Sequence, residues 1–115
     1  MNPDNNTRPV VAVFARAPVA GQVKTRLAVS IGDEAALEVH RALLDRTLRV
    51  VAAVPGVDAE LWLDGPHDLI ESRGLPIRMQ CEGDLGLRML AVVNDVTRRG
   101  RNVIIVGGDC PVLDA

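Results

Sequence analysis

The sequence predicts an α/β fold with three layers, α/β/α, built on a parallel, Rossmann-like sheet of about four strands. Three observations predict it. Val10 to Ala15 (VVAVFA) and Asn102 to Val106 (NVIIV) are apolar, β-branched-rich runs that do not alternate with polar residues, the pattern of strands buried on both faces. Between them, strand-like and helix-like segments take turns, as crossover connections between parallel strands require. Polar clusters follow directly after Ala15, Gln80 and Val106, and open parallel sheets bind ligands outside the carboxyl ends of their strands.

The elements follow in order. Met1 to Pro9 is polar and reads as a disordered tail, leaving 10–115 as one domain. The first strand is closed by the turn-prone segment from Pro18 to Gly21. Asp33 to Val54 predicts a helix, because Leu37, Leu44, Leu48 and Val51 fall on one face. Asp33 is placed to cap it, after Gly32 breaks the preceding segment, and Pro55-Gly56 stops it. Glu60 to Asp64 predicts a second strand, Pro66 to Arg73 a short helix or turn, and Pro76 to Gln80 a third strand. Asp84 to Arg99 predicts a long helix with Leu87, Leu90, Ala91, Asn94 and Val96 inward. Gly100 suits its C′ position, and Arg98 and Arg99 suit the negative end of its dipole. The fourth strand ends at Val106, nine residues before the chain does, where such a strand ordinarily leads into further fold, so a C-terminal truncation is expected.

Composition narrows the function. A net charge of −2 argues against a general binder of nucleic acid or anionic membrane. No tyrosine and one residue each of Phe and Trp leave little base-stacking surface. Cys81 and Cys110 match neither a zinc nor a redox spacing and predict two reduced thiols. With no apolar leader and no apolar run near membrane-spanning length, a cytoplasmic protein is expected. An uncovered sheet edge would allow dimerisation. His40 and His67 have no partner at metal or triad spacing and read as structural or solvent-facing; Trp62 reads as core or strand-edge packing.

Three clusters could carry chemistry. Arg16 to Arg26 (RAPVAGQVKTR) holds three cations, with Pro18 and Gly21 to shape the loop. Gly21 lets backbone approach an anion, Lys24 supplies a point charge, and Arg16 and Arg26 supply forked donors that match phosphate oxygens. The spacing is neither that of a P-loop nor GxGxxG, so a solvated basic loop and an anion site both stay open. In the second cluster, Gly83 and Gly86 flank Asp84 at a helix start. Asp84 reads as an N-cap or as part of a turn against a nucleotide, with Arg88 pointing back toward it. In the third, Asp109 follows a buried strand between Gly107-Gly108 and Cys110-Pro111. It reads as a turn residue or as a hard oxygen ligand for Mg²⁺ or Mn²⁺ on a diphosphate; Asp114 lies too near the chain end to weigh.

Taken together, Phe14-Ala15-Arg16-Ala17-Pro18, Gly21 with Val23-Lys24-Thr25-Arg26-Leu27, Gly83-Asp84-Leu85-Gly86 with Arg88-Met89, and Gly108-Asp109-Cys110-Pro111 resemble the bacterial DUF2064 family. The resemblance runs from Val10 onward and is most specific in its first block. It departs from the family pattern at Arg16, where lysine is usual, and at Gly108, where serine is usual; the second change removes a hydroxyl and leaves the turn possible. The resemblance implies a glycosyltransferase of the GT-A, nucleotide-diphospho-sugar transferase fold that depends on Mg²⁺ or Mn²⁺. Carried over, Lys24 and Arg26 would meet the nucleotide phosphates with Arg16, Ala17, Pro18, Gly21 and Thr25 around them. Gly83, Asp84, Gly86 and Arg88 would line the nucleotide pocket. Asp109 would hold the metal and, with Lys24, act in catalysis. Family members run well beyond this length, and the further half would carry the acceptor site. Two other readings stand beside it: a guanylyltransferase-like nucleotidyltransferase releasing pyrophosphate, and a nucleotide-binding fragment without chemistry.

Overall fold

The computed structural model describes residues 8–19, 21, 23–65 and 72–108. Along the chain, strand β1 (Val10–Ala15) leads to helices α1 (Thr25–Ile31) and α2 (Asp33–Ala52). Strands β2 (Asp58–Leu63) and β3 (Ile77–Met79), helix α3 (Leu85–Arg98) and strand β4 (Val103–Gly107) follow. The four strands pair in parallel in the order β3-β2-β1-β4.

Both faces of β1 are covered, which explains its unbroken apolar run. Successive strand side chains point to opposite faces. Val11, Val13 and Ala15 pack with Leu61 and Leu63 beneath Leu44, Leu48 and Val51 of α2. Val10 and Ala12 pack with Trp62 beneath Val92 and Val96 of α3. Fully burying each of the larger aliphatic side chains contributes about 1.5–3 kcal/mol. The predicted α/β/α layering thus stands, with one helix layer on each face.

The topology places a crevice. From β1 the chain steps outward through β2 to β3, then returns to pair β4 with the other side of β1. The strand order therefore reverses between β1 and β4, whose ends lie level, with Phe14 opposite Gly107. Open α/β sheets bind ligands at such a switch point.

Several local expectations change. The segment after Lys24 is not loop but helix α1, which is too short to show a helical period in sequence and packs beside α2. A single glycine divides the two helices. Gly32, at φ 90 and ψ 160, donates to the carbonyl of Ala28 at 2.8 Å and accepts from the amide of Ala36 at 3.0 Å. That conformation is strained for any residue with a Cβ. Gly32 therefore takes the N-cap place expected of Asp33, which stands in the first turn, where its charge suits the helix dipole.

Asp84 does cap α3, accepting from the amide of Leu87 at 2.9 Å, and Gly100 follows its end at φ 76. The inner face of α3 differs from the prediction. Val92 and Val96 are buried, whereas Leu87 and Leu90 are more than half exposed and Asn94 is exposed. Apolar residues surround much of this helix, so hydrophobicity alone could not choose a face. Residues 66–71 of the expected helix, with His67, lie outside the described residues; Arg73 and Gly74 form a turn.

Charge pairs brace the sheet away from the crevice. Glu60, nearly buried on the α3 face, accepts from Arg99 at 2.8 and 3.1 Å and from Trp62 Nε1 at 3.1 Å, with Arg78 at 3.3 Å. Burial raises its pKa, but the bonds and charge of Arg99, with Arg78 and Trp62, outweigh burial and hold the carboxyl below its ordinary value. Arg101 pairs with Asp58 and donates to the carbonyl of Arg8, tying the N-terminal ends of the strands.

Candidate nucleotide site

At the carboxyl ends of the strands lies a cavity of about 510 Å³, lined by Phe14, Ala15, Arg16, Lys24, His40, Asp64, Gln80, Leu85, Arg88 and Gly108. Its size falls in the range of small-molecule sites.

The segment after β1 is held from two sides. The amide of Ala17 donates to Asp64 Oδ1 at 2.7 Å, and His40 Nε2 lies 2.9 Å from the carbonyl oxygen of Arg16. Val23 is buried, so its neighbour Lys24 is carried at the cavity wall. Lys24 sits at φ 50, ψ 45, the left-handed region that costs an L-residue about 1–2 kcal/mol. Such strain clusters at functional sites.

The second cluster is braced through side chains. Gln80 Nε2 donates to the carbonyl oxygens of Trp62 at 2.8 Å and Ala15 at 3.3 Å, spanning the ends of two neighbouring strands. Its Oε1 accepts from Arg88 at 3.4 Å. Arg88 points back over the start of α3, donating through Nε to the carbonyl of Gly83 at 2.9 Å, with Nη1 3.7 Å from Asp64 Oδ2.

The third cluster is fixed by close packing. The amide of Gly108 donates to Phe14 at 2.8 Å, and its carbonyl accepts from Thr47 Oγ1 at 3.1 Å. A Cβ on Gly108 would lie 2.9 Å from the Ala15 Cβ, 3.0 Å from Leu44 Cδ1 and 3.1 Å from the Phe14 carbonyl oxygen. The serine usual in the resembling family would therefore force its neighbours to shift here.

Of the predicted residues, Arg16, Lys24 and Arg88 share this cavity although they come from stretches far apart in sequence, and Gly108, which precedes the predicted Asp109, lines it with them. Ala17, Pro18, Gly21, Arg26, Gly83, Asp84 and Gly86 are not among its described lining residues. Arg26 is exposed on α1, and Asp84 is occupied as a helix cap. Thr25 opens α1, and its side chain lies outside the described residues, as do Asp109, Cys110 and Asp114. Cys81 is exposed and free.

The sequence reading missed Asp64, Gln80, His40 and Thr47 as site residues. Asp64 carried the same signal that singled out Asp109, a carboxylate directly after a buried strand. His40 stands four residues before Leu44, on the inward face of α2, and is buried rather than solvent-facing.

Among the described residues, three cations and one carboxylate line the cavity, an arrangement that favours an anion. The described residues do not by themselves build a metal centre. Among them no group of three His, Cys, Asp or Glu side chains could hold a metal ion. Asp64, the one carboxylate among the described lining residues, already accepts from Ala17 through Oδ1. No helix among the described residues is long and apolar enough to cross a membrane.

A family model described as an uncharacterized protein conserved in bacteria, DUF2064, matches residues 46–115. That span contains the second and third clusters and leaves the first outside it. No curated protein matches the sequence. Among solved structures, the chain is similar to one from Desulfovibrio desulfuricans G20 described as a "putative nucleotide-diphospho-sugar transferase". The TM-score is 0.83 at 22% identity, over 94% of this chain and 50% of that one. The chain thus spans half the length of that protein and shares its fold.

Proposed function

The chain belongs to the DUF2064 family, and from that premise we propose that its cavity holds the nucleoside diphosphate of a sugar nucleotide, as half of a nucleotide-diphospho-sugar transferase. The observation that carries the proposal is the meeting of Arg16, Lys24 and Arg88 in one cavity where the strand order reverses. The fold shared with the D. desulfuricans protein supports it.

In glycosyl transfer the bond between the anomeric carbon and the diphosphate oxygen breaks, and an acceptor oxygen bonds to that carbon. Negative charge then grows on the departing diphosphate. Fixed cations aimed at that charge lower the barrier most in a site shielded from water. Lys24 supplies a compact charge on a strained, pre-set backbone. Arg16 supplies a planar fork suited to two phosphate oxygens. Arg88, already tied to Gly83 and Gln80, closes the far wall. Mg²⁺ or Mn²⁺ held by Asp109 is the remaining part of the proposal; a bound cation would neutralise the diphosphate.

A thermal-shift screen of the chain against UDP, GDP, ADP, CDP and their sugar derivatives, with and without Mn²⁺, tests this reading, because a ligand that binds only the native state raises its melting point. Stabilisation by at least one nucleoside diphosphate is expected; no shift with any of them refutes the reading. In a turnover assay with sugar nucleotides and nucleoside triphosphates, release of nucleoside diphosphate supports glycosyl transfer, whereas release of pyrophosphate assigns nucleotidyl transfer instead.

A further inference from the structure

Two segments bracket the crevice, one following β1 and one following β4, and a single helix grips both. His40 and Thr47 stand seven residues apart on α2, two turns along the same face. They are 5% and 1% exposed, polar groups buried in an otherwise apolar face. The His40 ring reaches the carbonyl oxygen of Arg16, one residue beyond β1, at 2.9 Å; that oxygen can only accept, so Nε2 carries the proton. The Thr47 hydroxyl reaches the carbonyl oxygen of Gly108, one residue beyond β4, at 3.1 Å, and that of Leu43 at 3.0 Å. Leu43 lies within its own helix, whereas Arg16 and Gly108 are distant in sequence and both line the cavity.

We propose that His40 and Thr47 are positioning residues. Helix α2 acts as a rigid bar that sets the distance between the cationic segment and the β4 turn, and with it the placement of Arg16 and Lys24 around a diphosphate. The proposal rests on the nucleotide reading of the cavity. Neither side chain needs to touch the ligand: each acts through the backbone carbonyl that it holds. The arrangement parallels the outer partners of metal ligands, whose loss weakens binding about 10-fold to 100-fold although they never contact the metal.

Paired substitutions separate the hydrogen bond from the volume. Thr47→Val removes the hydroxyl and keeps the shape, whereas Thr47→Ser keeps the hydroxyl. His40→Leu removes the donor, whereas His40→Gln returns an amide N–H near the place of Nε2. Calorimetry with UDP and GDP in Mn²⁺ is run on the 115-residue chain and each variant, beside melting temperatures and amide hydrogen exchange. His40→Leu and Thr47→Val are expected to lose affinity by about 10-fold to 100-fold, with His40→Gln and Thr47→Ser close to wild type. Wild-type affinity in His40→Leu and Thr47→Val, whatever their melting temperatures, overturns the proposal, as does equal loss in all four variants. If the wild-type chain binds neither UDP nor GDP, the nucleotide reading fails for those ligands and hydrogen exchange decides the positioning. The Ala17 and Val19 amides should then exchange faster in His40→Leu, and the Gly108 amide faster in Thr47→Val, each restored by the conservative partner. Unchanged exchange rejects the rigid-bar role.

Discussion

Lys24 separates the stability of the fold from the binding of a ligand, because its backbone is strained while its side chain faces the cavity. Replacing it by alanine or by glycine removes the charged side chain beyond Cβ in both cases, and glycine removes Cβ as well. The two variants therefore differ mainly in the backbone, at φ 50 in the folded chain and in freedom when unfolded. Alanine keeps the left-handed penalty of about 1–2 kcal/mol. Glycine relieves it but has more freedom to lose on folding, about 0.4–1 kcal/mol. Lys24→Gly should therefore exceed Lys24→Ala in stability by roughly 0.5–1 kcal/mol. For a chain of this length that is about 2–4 °C in Tm, given an unfolding entropy near 2.1 cal/mol/K per residue. Nucleotide affinity should fall alike in both, by about 1–3 kcal/mol, or roughly 5-fold to 150-fold, the scale of a charge-assisted hydrogen bond. Differential scanning calorimetry measures the first quantity and titration calorimetry with a nucleoside diphosphate the second. Wild-type affinity in either variant would remove Lys24 from the site. A glycine variant that melts below the alanine variant would show that the strain assigned to its backbone is absent.

Gly108→Ala should destabilise the chain by about 1–3 kcal/mol, the usual cost of overpacking, because the added Cβ meets Ala15 and the Phe14 carbonyl oxygen within the β1–β4 pairing; denaturant unfolding checks it, and a loss under 0.5 kcal/mol contradicts the close packing. Glu60→Gln should cost about 3 kcal/mol at neutral pH, the low end for breaking a buried pair, since Arg99 keeps Asp95 at 2.9 Å. The Glu60 pKa is held below its ordinary 4.5, so the charged carboxylate stabilises the fold above that pH, and the contribution is lost as pH falls from there through the folded-state pKa. Acid unfolding curves of wild type and Glu60→Gln should therefore converge below about pH 4.5, and curves that stay parallel contradict the pairing. Asp109→Asn should abolish any enhancement of nucleotide binding by Mg²⁺ or Mn²⁺; equal enhancement in the variant, read by titration with and without metal, assigns the metal elsewhere.

The sheet and both helix layers were legible in the sequence because they rest on long, uniform signals. Val10 to Ala15 needed no alternation, and the Leu44, Leu48, Val51 face needed only a period. Features set by single contacts were not. Helix α1 has seven residues and no repeated apolar face. The inward face of α3 was chosen by the packing of Val92 and Val96 on Trp62, which no count of leucines foretells. In the site, the charged residues declared themselves by type and by position after strand ends. The groups that hold them did not, because His40 and Thr47 act on backbone carbonyls that leave no mark in sequence. Asp64 was the recoverable omission, a carboxylate at a strand end that sequence reasoning counted only as the strand's last residue.

The central claim is spatial: one crevice at the carboxyl ends of β1 and β4 receives a nucleoside diphosphate. Titrating ¹⁵N-labelled protein with UDP and GDP in Mg²⁺ and following amide chemical shifts tests it most directly. The account predicts that shifts concentrate at Ala15 to Lys24, Gln80 to Arg88 and Gly108. Shifts confined to the opposite strand ends, around Asp58 and Arg101, or none at saturating nucleotide, would contradict it.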